Sequence, residues 1–556
     1  MHRQTSRNRG RSIAIRSPQW GRYVDYTWHE YRQQSDYFAA ALVEEGLQWG
    51  DRVAILSENR FEWLIADQGV FSAGGVTVPL HTSLAVEQVV WQLDHSDSRW
   101  LVLSGEEQWQ RLAPYLAEFS QLEGIIFLEP LKLPQVGLDG PVLLSWNTFL
   151  ASGRHALFRS PKRVELREEN IQSEDLATII YTSGTTGEPK GVMLSHGNLV
   201  SNAVNRQKMA KYTSHDIKLS WLPYSHVYAR TVDCFMSAYV GMTVVLARSP
   251  QTLREDLLLS EPTWMTGVPR FYEKIWRTLK PLSNEKRKAK LREIFGRRIR
   301  CVSCGGAPIA TEIVEGFRQA GLPLLVGYGL TETSPVLTLN SESNDKPGTV
   351  GKAIPEVELK IASSGEVLVR GPQVMQGYWK DPGVTEEALL DGWLHTGDLG
   401  SLDSEGYLNI HGRCKDLIVT SQGKKIAPLH IEQLITADPA IEQAVVYGEG
   451  CPFLSAIIVP DFAYLLSVKG WEAPGSTVRG QGNGLEDNWN APDVRAYLLD
   501  CVQKQLASVS REEQVRKIVV LDRPFSVSQG ELTPSFKLRR EQIVAQFQSL
   551  LDGLYY

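Results

Sequence analysis

Apolar and polar positions along the first hundred residues follow two periods. "YTWHEYRQQSDYFAAALVEEGL", from Tyr26, repeats its apolar residues at three- and four-residue intervals, which predicts an amphipathic helix with Thr27 as its cap. "DRVAILSENR" is a short apolar run with a polar exit and predicts a buried strand; "GGVTVPL", "SRWLVLS" and "EGIIFLEP" repeat that pattern. Strands alternating with helical stretches predict an α/β fold, a large N-terminal domain of layered, largely parallel sheets. From about Gly348 the texture changes. "GTVGKAIPEVELKIASSGEVLVRGPQVMQGYW" reads as short strands broken by glycine and proline, a small antiparallel, β-barrel-like subdomain.

"SLDSEGYLNIHGRCKD" then carries a hairpin-like turn and a cluster of basic and acidic residues. "QAVVYGE" and "LSAIIVP" predict two further strands. A terminal helix is predicted from about Thr533, with Thr533 as cap and Pro534 as first residue. These make a smaller α+β C-terminal domain. "WEAPGSTVRGQGNGLEDNWNAPD" reads as a solvated loop inside it.

Composition narrows the class. At 556 residues the chain is too long for one simple core. A net charge of -6 gives no reason to expect nucleic acid. Six cysteines in so long a chain form no disulfide framework and favour a reducing compartment, hence the cytoplasm. Cys301 and Cys304 have C-x-x-C spacing without a second pair, which disfavours zinc or redox chemistry. No apolar run approaches the roughly 18 residues of a spanning helix. The start, "MHRQTSRNRGRSIAIRS", is rich in arginine and lacks the apolar core of a secretory signal. It reads as a disordered tail or a misplaced start in preference to a transit peptide. The basic run Lys286 to Arg300 reads first as a solvated amphipathic helix, with acidic lipid headgroups or CoA phosphates as its functional alternative.

"YTSGTTGEPKG", Tyr181 to Gly191, suits a backbone nest for phosphate. It is not a Walker loop. Counting from Gly184, the second glycine falls on Pro189, and Lys190 is followed by Gly191 instead of a hydroxyl residue. "GYGLTE" and "GQGNGLE" each lack the third glycine of a dinucleotide fingerprint. On composition alone, a phosphate nest and a mobile surface turn are equal readings.

Five motifs in order break the tie: "YTSGTTGEPKGVMLSHGNL", "GYGLTETSP", "GWLHTGDLG", "GRCKDLIVTSQGKKIAPLHIE" and "GELTPSFKLRR". Together they resemble the adenylate-forming superfamily of acyl-CoA synthetases, luciferases and peptide-synthetase adenylation domains. "LPYSHVYAR", "KDLIVTSQGKKIAP" and "GELTPSFK" are most similar to its long-chain fatty acid–CoA ligases. The resemblance implies two half-reactions: a carboxylate and ATP give acyl-AMP and pyrophosphate, then CoA displaces AMP. A fatty carboxylate is already ionised near neutral pH, so the first half asks for charge neutralisation and in-line placement instead of a base.

The family's residues map as follows by resemblance. Thr182, Ser183, Gly184, Thr185, Thr186, Gly187 and Lys190 would hold the β- and γ-phosphates. Thr331 would contact the α-phosphate and Glu332 would bind Mg²⁺. Adenine would lie against Gly305, Gly306 and Ala307, and beside Tyr328 in its "GYG" frame of Gly327 and Gly329. Asp398 would accept from the ribose hydroxyls, with Arg413 reaching the ribose or phosphate; without the family, the two read equally as a plain surface salt bridge. Lys537 would reach the reacting carboxylate and the α-phosphate, and a lysine in a helix's first turn has no stability reason to be there.

The domains implied are 1–411 and a mobile 412–556, hinged near 413–416 at Lys415. Gly423 would leave room for the pantetheine arm of CoA; Gln422 beside it departs from the glycine common in long-chain relatives. His226 would gate the acyl pocket, and Val227 stands where amino-acid-activating relatives carry an aspartate, so a plain carboxylic acid is favoured. The residues of "YARTVDCFMSAYVGM" read mostly as core. The implied partners are fatty acid, ATP and CoA. The sequence leaves open peripheral membrane contact and a homodimer. The competing readings are a fatty acyl-AMP ligase that loads a carrier protein, and a catalytically idle nucleotide-binding relative.

Overall fold

Thr27 caps the helix Trp28–Glu44 as its sequence predicts. Its Oγ1 accepts from Glu30 N–H at 3.2 Å while the Glu30 carboxylate accepts from Thr27 N–H at 2.8 Å. This reciprocal box satisfies two of the donors a helix start leaves open. The helix Trp146–Arg159 lies so close that a Cβ on Gly153 would fall 1.7 Å from the Tyr37 carbonyl oxygen, so only glycine fits there.

The computed structural model describes residues 1–19, 21–119, 121–130, 140–182, 189–469, 492–526, 528–533 and 538–555. Its contacts divide the chain into two units. The first is Met1–Lys360 with Leu368–Thr396 and Ser404–Leu408; the second is Ile361–Val367 with Gly397–Asp403 and Asn409–Tyr556. The fold is mixed α/β, with a large unit of layered sheets and a smaller second unit.

The arginine-rich start is not a disordered tail. It forms the helix His2–Arg9 and the strand Ile13–Gln19, which pairs in parallel with Thr243–Leu246 and antiparallel with Arg22–Thr27. Arg3 pairs with Asp36 at 3.2 Å and with Glu168, and Arg7 with Glu165 at 2.6 Å. The carboxylates that order this segment are far along the chain, so its own acid-poor composition conceals them.

Two large sheets organise the first unit. One runs, in order, Gly377–Tyr378, Lys190–Ser195, Leu176–Thr182, Val76–Leu80, Arg52–Leu56, Ser98–Leu103, Gly124–Phe127 and Val142–Ser145. From Leu176–Thr182 onward its pairs are parallel, and the four strands read from apolar runs are all in it. The other sheet holds Trp264–Gly267, Cys301–Cys304 and Leu324–Gly329 in parallel, then Val336–Leu339 and Lys352–Ala353 antiparallel. Cys301 and Cys304 are buried in it, and burial pushes both thiols up. Two of the short strands after Gly348, Lys352–Ala353 and Gly377–Tyr378, thus extend the large sheets.

The second unit carries Ile441–Tyr447, Leu454–Pro460 and Val515–Val520 as one sheet, antiparallel then parallel. Its α-helices among the described residues are Pro428–Thr436, Phe462–Lys469, Pro492–Gln505 and Arg540–Asp552. Inside it, Glu432 accepts from Arg540 Nη2 at 2.6 Å and from Val446 N–H at 2.7 Å. The terminal helix begins at Arg540 and not near Thr533. Leu532 and Leu538 meet in an antiparallel bridge, and Arg539 N–H donates to Glu531 O at 2.8 Å, just before the helix. Thr533 is described, whereas Pro534 lies outside the described residues. The polar excursion read as a solvated loop falls almost wholly outside the described residues.

Candidate active site

The glycine-rich stretch joins two neighbouring antiparallel strands. Thr182 pairs with Lys190 and Tyr181 with Gly191. A Walker loop leads from a strand into a helix whose N-terminus helps hold phosphate. Here a strand follows, and the next helix, His196–Ala210, starts only after Ser195. Ser183, Gly184, Thr185, Thr186 and Gly187 lie outside the described residues. The root of the stretch is fixed: Tyr181 Oη meets His95 Nδ1 at 2.8 Å, the His95 ring stacks on Trp91, and Trp379 Nε1 donates to His95 O at 3.0 Å.

Lys190 and Glu332 converge on a residue that the sequence reading missed. Gly377–Tyr378 adds antiparallel to Lys190–Ser195, with Tyr378 opposite Val192. That register sets Lys190 Nζ 5.2 Å from the centre of the Tyr378 ring, a cation–π approach. Tyr378 Oη donates to Glu332 Oε1 at 2.9 Å, and Met375 N–H donates to Glu332 O at 2.9 Å. Thr331 and Glu332 open the single turn Thr331–Thr333 after the strand Leu324–Gly329.

Two asparagines one helical turn apart hold this arrangement. Asn198 Nδ2 donates to Pro372 O and Val374 O at 2.8 and 2.9 Å. Asn202 Nδ2 donates to Thr333 O and Val336 O at 3.1 and 2.8 Å. One helix therefore clamps both the segment leading to Tyr378 and the turn bearing Glu332. Buried asparagines at i and i+4 were the readable signal, because a helix face bearing amides in a core needs backbone partners. Nothing in "QGYW" singled out Tyr378.

The turn after Cys304 places Gly305, Gly306 and Ala307 at the end of the second sheet. Gly305 is buried, and a Cβ there would meet the Tyr228 phenol at 3.1 Å. Gly306 and Ala307 are exposed; Gly306 has φ +86° and open space around it. Tyr228 is two residues past His226, whose Nδ1 accepts from Tyr228 N–H at 3.2 Å. The segment after His226 and the turn after Cys304 therefore touch. Gly327, Tyr328 and Gly329 are half-buried at the end of their strand. A Cβ on Gly329 would lie 1.7 Å from Pro335 O.

His226 leads into Val227–Ala229, a π-helical turn Arg230–Phe235, and Met236–Val240. Most of this segment packs as core, including its charges. Arg230 donates to Asp67 Oδ2 at 3.1 Å and to Thr178 Oγ1 at 2.7 Å, on the strand that enters the glycine-rich stretch. Thr231 Oγ1 donates to Ser334 O at 3.0 Å, beside the Glu332 turn. Asp233 meets Lys218 Nζ at 2.8 Å, and burial lowers Lys218 to about 8. The helical segment after His226 is thereby tied both to the strand that enters the glycine-rich stretch and to the Glu332 turn.

In the second unit Asp398 and Arg413 come together. Arg413 Nε lies 3.1 Å from Asp398 Oδ1, with the carboxylate buried and the guanidinium about half exposed. Cys414 N–H donates to Gly397 O at 2.8 Å, fixing the two strands that carry them. Lys415 occupies the turn that follows. Gly423 has φ +75° at the tip between Ile418–Val419 and Lys425–Ile426, where Gly423 N–H donates to Thr420 O at 2.8 Å. That turn alone accounts for a glycine there. Lys537 lies outside the described residues.

Among the described residues no group of three or more metal-ligating side chains forms, and no helix is long and apolar enough to cross a membrane.

The chain belongs to the AMP-binding enzymes, matching that family over residues 1–379 and the AMP-binding enzyme C-terminal domain over residues 415–468. It is similar to a long-chain-fatty-acid–CoA ligase of Mycobacterium bovis, FadD15, at 33% identity over 96% of this chain and 93% of the relative. A chloroplastic long-chain-fatty-acid–[acyl-carrier-protein] ligase of Arabidopsis thaliana is 27% identical over 100% of this chain and 86% of its own length. Among solved structures, an anthranilate CoA ligase in complex with anthranoyl-AMP superposes with a TM-score of 0.79 at 19% identity, over 99% and 98% of the two chains, which establishes the shared fold.

Proposed function

We propose that the chain is a long-chain fatty acid–CoA ligase. In the first half-reaction a fatty carboxylate oxygen attacks the α-phosphorus of ATP, and the bond to the β-phosphate oxygen breaks to release pyrophosphate. In the second, the CoA thiol sulfur attacks the acyl carbon of acyl-AMP, the carbon–oxygen bond to AMP breaks, and the thiol proton is lost. The observation that carries this reading is the meeting of Lys190 and Glu332 on Tyr378, at the root of the glycine-rich stretch. A point cation and an oriented carboxylate on one aromatic side chain suit a polyphosphate carrying a divalent cation.

Mg²⁺ fits this donor set. It keeps several waters and takes one or two carboxylates plus substrate phosphates, so a single Glu332 suffices where a three-residue cage is absent among the described residues. When bound, Mg²⁺ would neutralise phosphate charge. Glu332 would hold it through the oxygen not engaged by Tyr378. Lys190, with Thr182 to Gly187, would restrain the departing pyrophosphate. Thr331 would contact the α-phosphate. The exposed face of Gly306 and Ala307, with Tyr328, would receive adenine, and Asp398 and Arg413 the ribose. Forming that contact requires the Asp398–Arg413 pair to share its carboxylate with the ribose hydroxyls.

Val227, buried after the gate residue His226, presents no carboxylate for a substrate ammonium, which supports a plain acid. In this reading the C-terminal domain, 412–556, brings Lys537 over the reacting oxygens, then turns about Lys415 so that Gly423 borders the thiol path. Six unpaired cysteines support a reducing compartment, the cytoplasm, and a hydrophobic substrate supports contact with a membrane surface.

The similarity to an acyl-carrier-protein ligase supports a second reading, with a carrier phosphopantetheine in place of CoA. Thioester formation from one fatty acid, with CoA in one vessel and a holo carrier protein in another, separates them. We expect product with CoA. Acyl-AMP that accumulates with CoA and transfers only to the carrier would sink the leading reading.

A further inference from the structure

The helices Leu253–Ser260 and Asn284–Phe295 lie side by side on the first unit. Arg254 Nη2 donates to Glu293 Oε1 at 2.7 Å, and a Cβ on Gly296 would sit 3.7 Å from Glu261 Cα and from Leu257 O. Leu291 and Phe295 are buried, which fixes the outward face of the second helix. Its cations divide into two kinds. Arg287 donates to Leu279 O and Lys280 O, Lys290 pairs with Glu293, and Arg300 with Asp216. Lys286, Lys288, Arg292, Arg297 and Arg298 are exposed, and none has a hydrogen-bond or ion-pair partner among the described residues.

The neighbouring helix adds the second half of the surface. Leu253 and Leu257 fill the core, whereas Leu258 and Leu259 are 49% and 65% exposed. The segment "LREDLLLS" therefore carries two more leucines than its packing uses. Solvated helices carry charge to water, but nothing in solubility calls for an exposed leucine pair on the helix packed against the one that bears these cations. Cations with adjacent apolar side chains are what an interfacial surface needs: charge for phosphate headgroups, leucines for the boundary below them.

We propose that this face, Leu258 and Leu259 with the exposed cations of 286–298, docks the protein on an anionic membrane. A free polyanion such as the CoA phosphates would use the cations and leave the leucines in water. Nucleic acid would do the same. The benefit of docking rests on the fatty-acid reading above, because a long-chain acid partitions into bilayers; the binding itself does not.

The test is co-sedimentation of the full chain with phosphatidylglycerol–phosphatidylcholine vesicles, against phosphatidylcholine vesicles alone, without substrate. We expect partition onto the anionic vesicles to be at least about tenfold stronger and to fall as salt rises. The quadruple variant Lys288→Glu, Arg292→Glu, Arg297→Glu, Arg298→Glu should lose that preference. Leu258→Ser with Leu259→Ser should weaken partition by about fivefold or more. Both variants should keep thioester formation from water-soluble octanoate, which also shows that they are folded. Equal binding to both vesicle types, no binding to either, or parent-like binding by the leucine variant would overturn the proposal. A parent chain that binds vesicles but forms no thioester counts against the ligase reading alone.

Discussion

The Tyr378 hydroxyl donates to Glu332 Oε1 at 2.9 Å while its ring faces Lys190 Nζ at 5.2 Å. One side chain thus orients a carboxylate and a cation that lie far apart in sequence. Tyr378→Phe keeps the ring and removes the donor. It should raise KM for Mg·ATP by about three- to tenfold, the worth of one hydrogen bond, with a smaller change in kcat. Tyr378→Ala, which also removes the face under Lys190, should cost more. Steady-state kinetics at varied Mg²⁺ decide it, and parent-like KM in both variants would show that Tyr378 orients nothing.

Two glycines near the nucleotide residues should respond differently to alanine. At Gly329 a Cβ would fall 1.7 Å from Pro335 O, so Gly329→Ala must part the strands Leu324–Gly329 and Val336–Leu339. We expect a loss of about 1–3 kcal/mol in urea unfolding together with weaker adenylation. Gly306 has open space, and its substitution meets only the strain of φ +86°, about 1 kcal/mol. Similar losses of stability at both positions would contradict the packing account.

His196 opens the helix that clamps the site, and burial lowers it to about 4 from an ordinary 6.5. Between pH 6.5 and 4 the unfolded chain binds a proton there that the folded chain does not. Stability from this group is therefore complete above pH 6.5 and is lost as pH falls through that window. A positive charge at a helix start adds to the penalty. His196→Gln should flatten the fall by about 1–2 kcal/mol in unfolding measured from pH 7 to 4.5. An unchanged slope would remove His196 from the account.

Much of this is legible in the sequence, and the parts that are not share a cause. The helix after Thr27 and the strands Arg52–Leu56, Val76–Leu80, Ser98–Leu103 and Gly124–Phe127 follow from local periodicity and caps. The arginine-rich start and Tyr378 depend on partners distant in sequence: Glu168 for Arg3 and Glu332 for Tyr378. Local pattern carries no information about such pairs. Asn198 and Asn202 lie between these cases, because their spacing was visible and their carbonyl partners were not.

Lys537 should matter in one half-reaction only. Lys537→Ala is expected to suppress acyl-AMP formation by a hundredfold or so, the scale of one electrostatic contact to a reacting oxygen. It should leave thioester formation from supplied acyl-AMP within about threefold of the parent. Separate assays of the two halves check this, and equal loss in both would contradict the role assigned to Lys537.

The most direct test of acid activation at the α-phosphate is isotope exchange between pyrophosphate and ATP in the absence of CoA. The account predicts label entering ATP only when Mg²⁺ and a long-chain fatty acid are both present, with AMP and thioester appearing once CoA is added. Release of orthophosphate, or no exchange with any carboxylate, would contradict it.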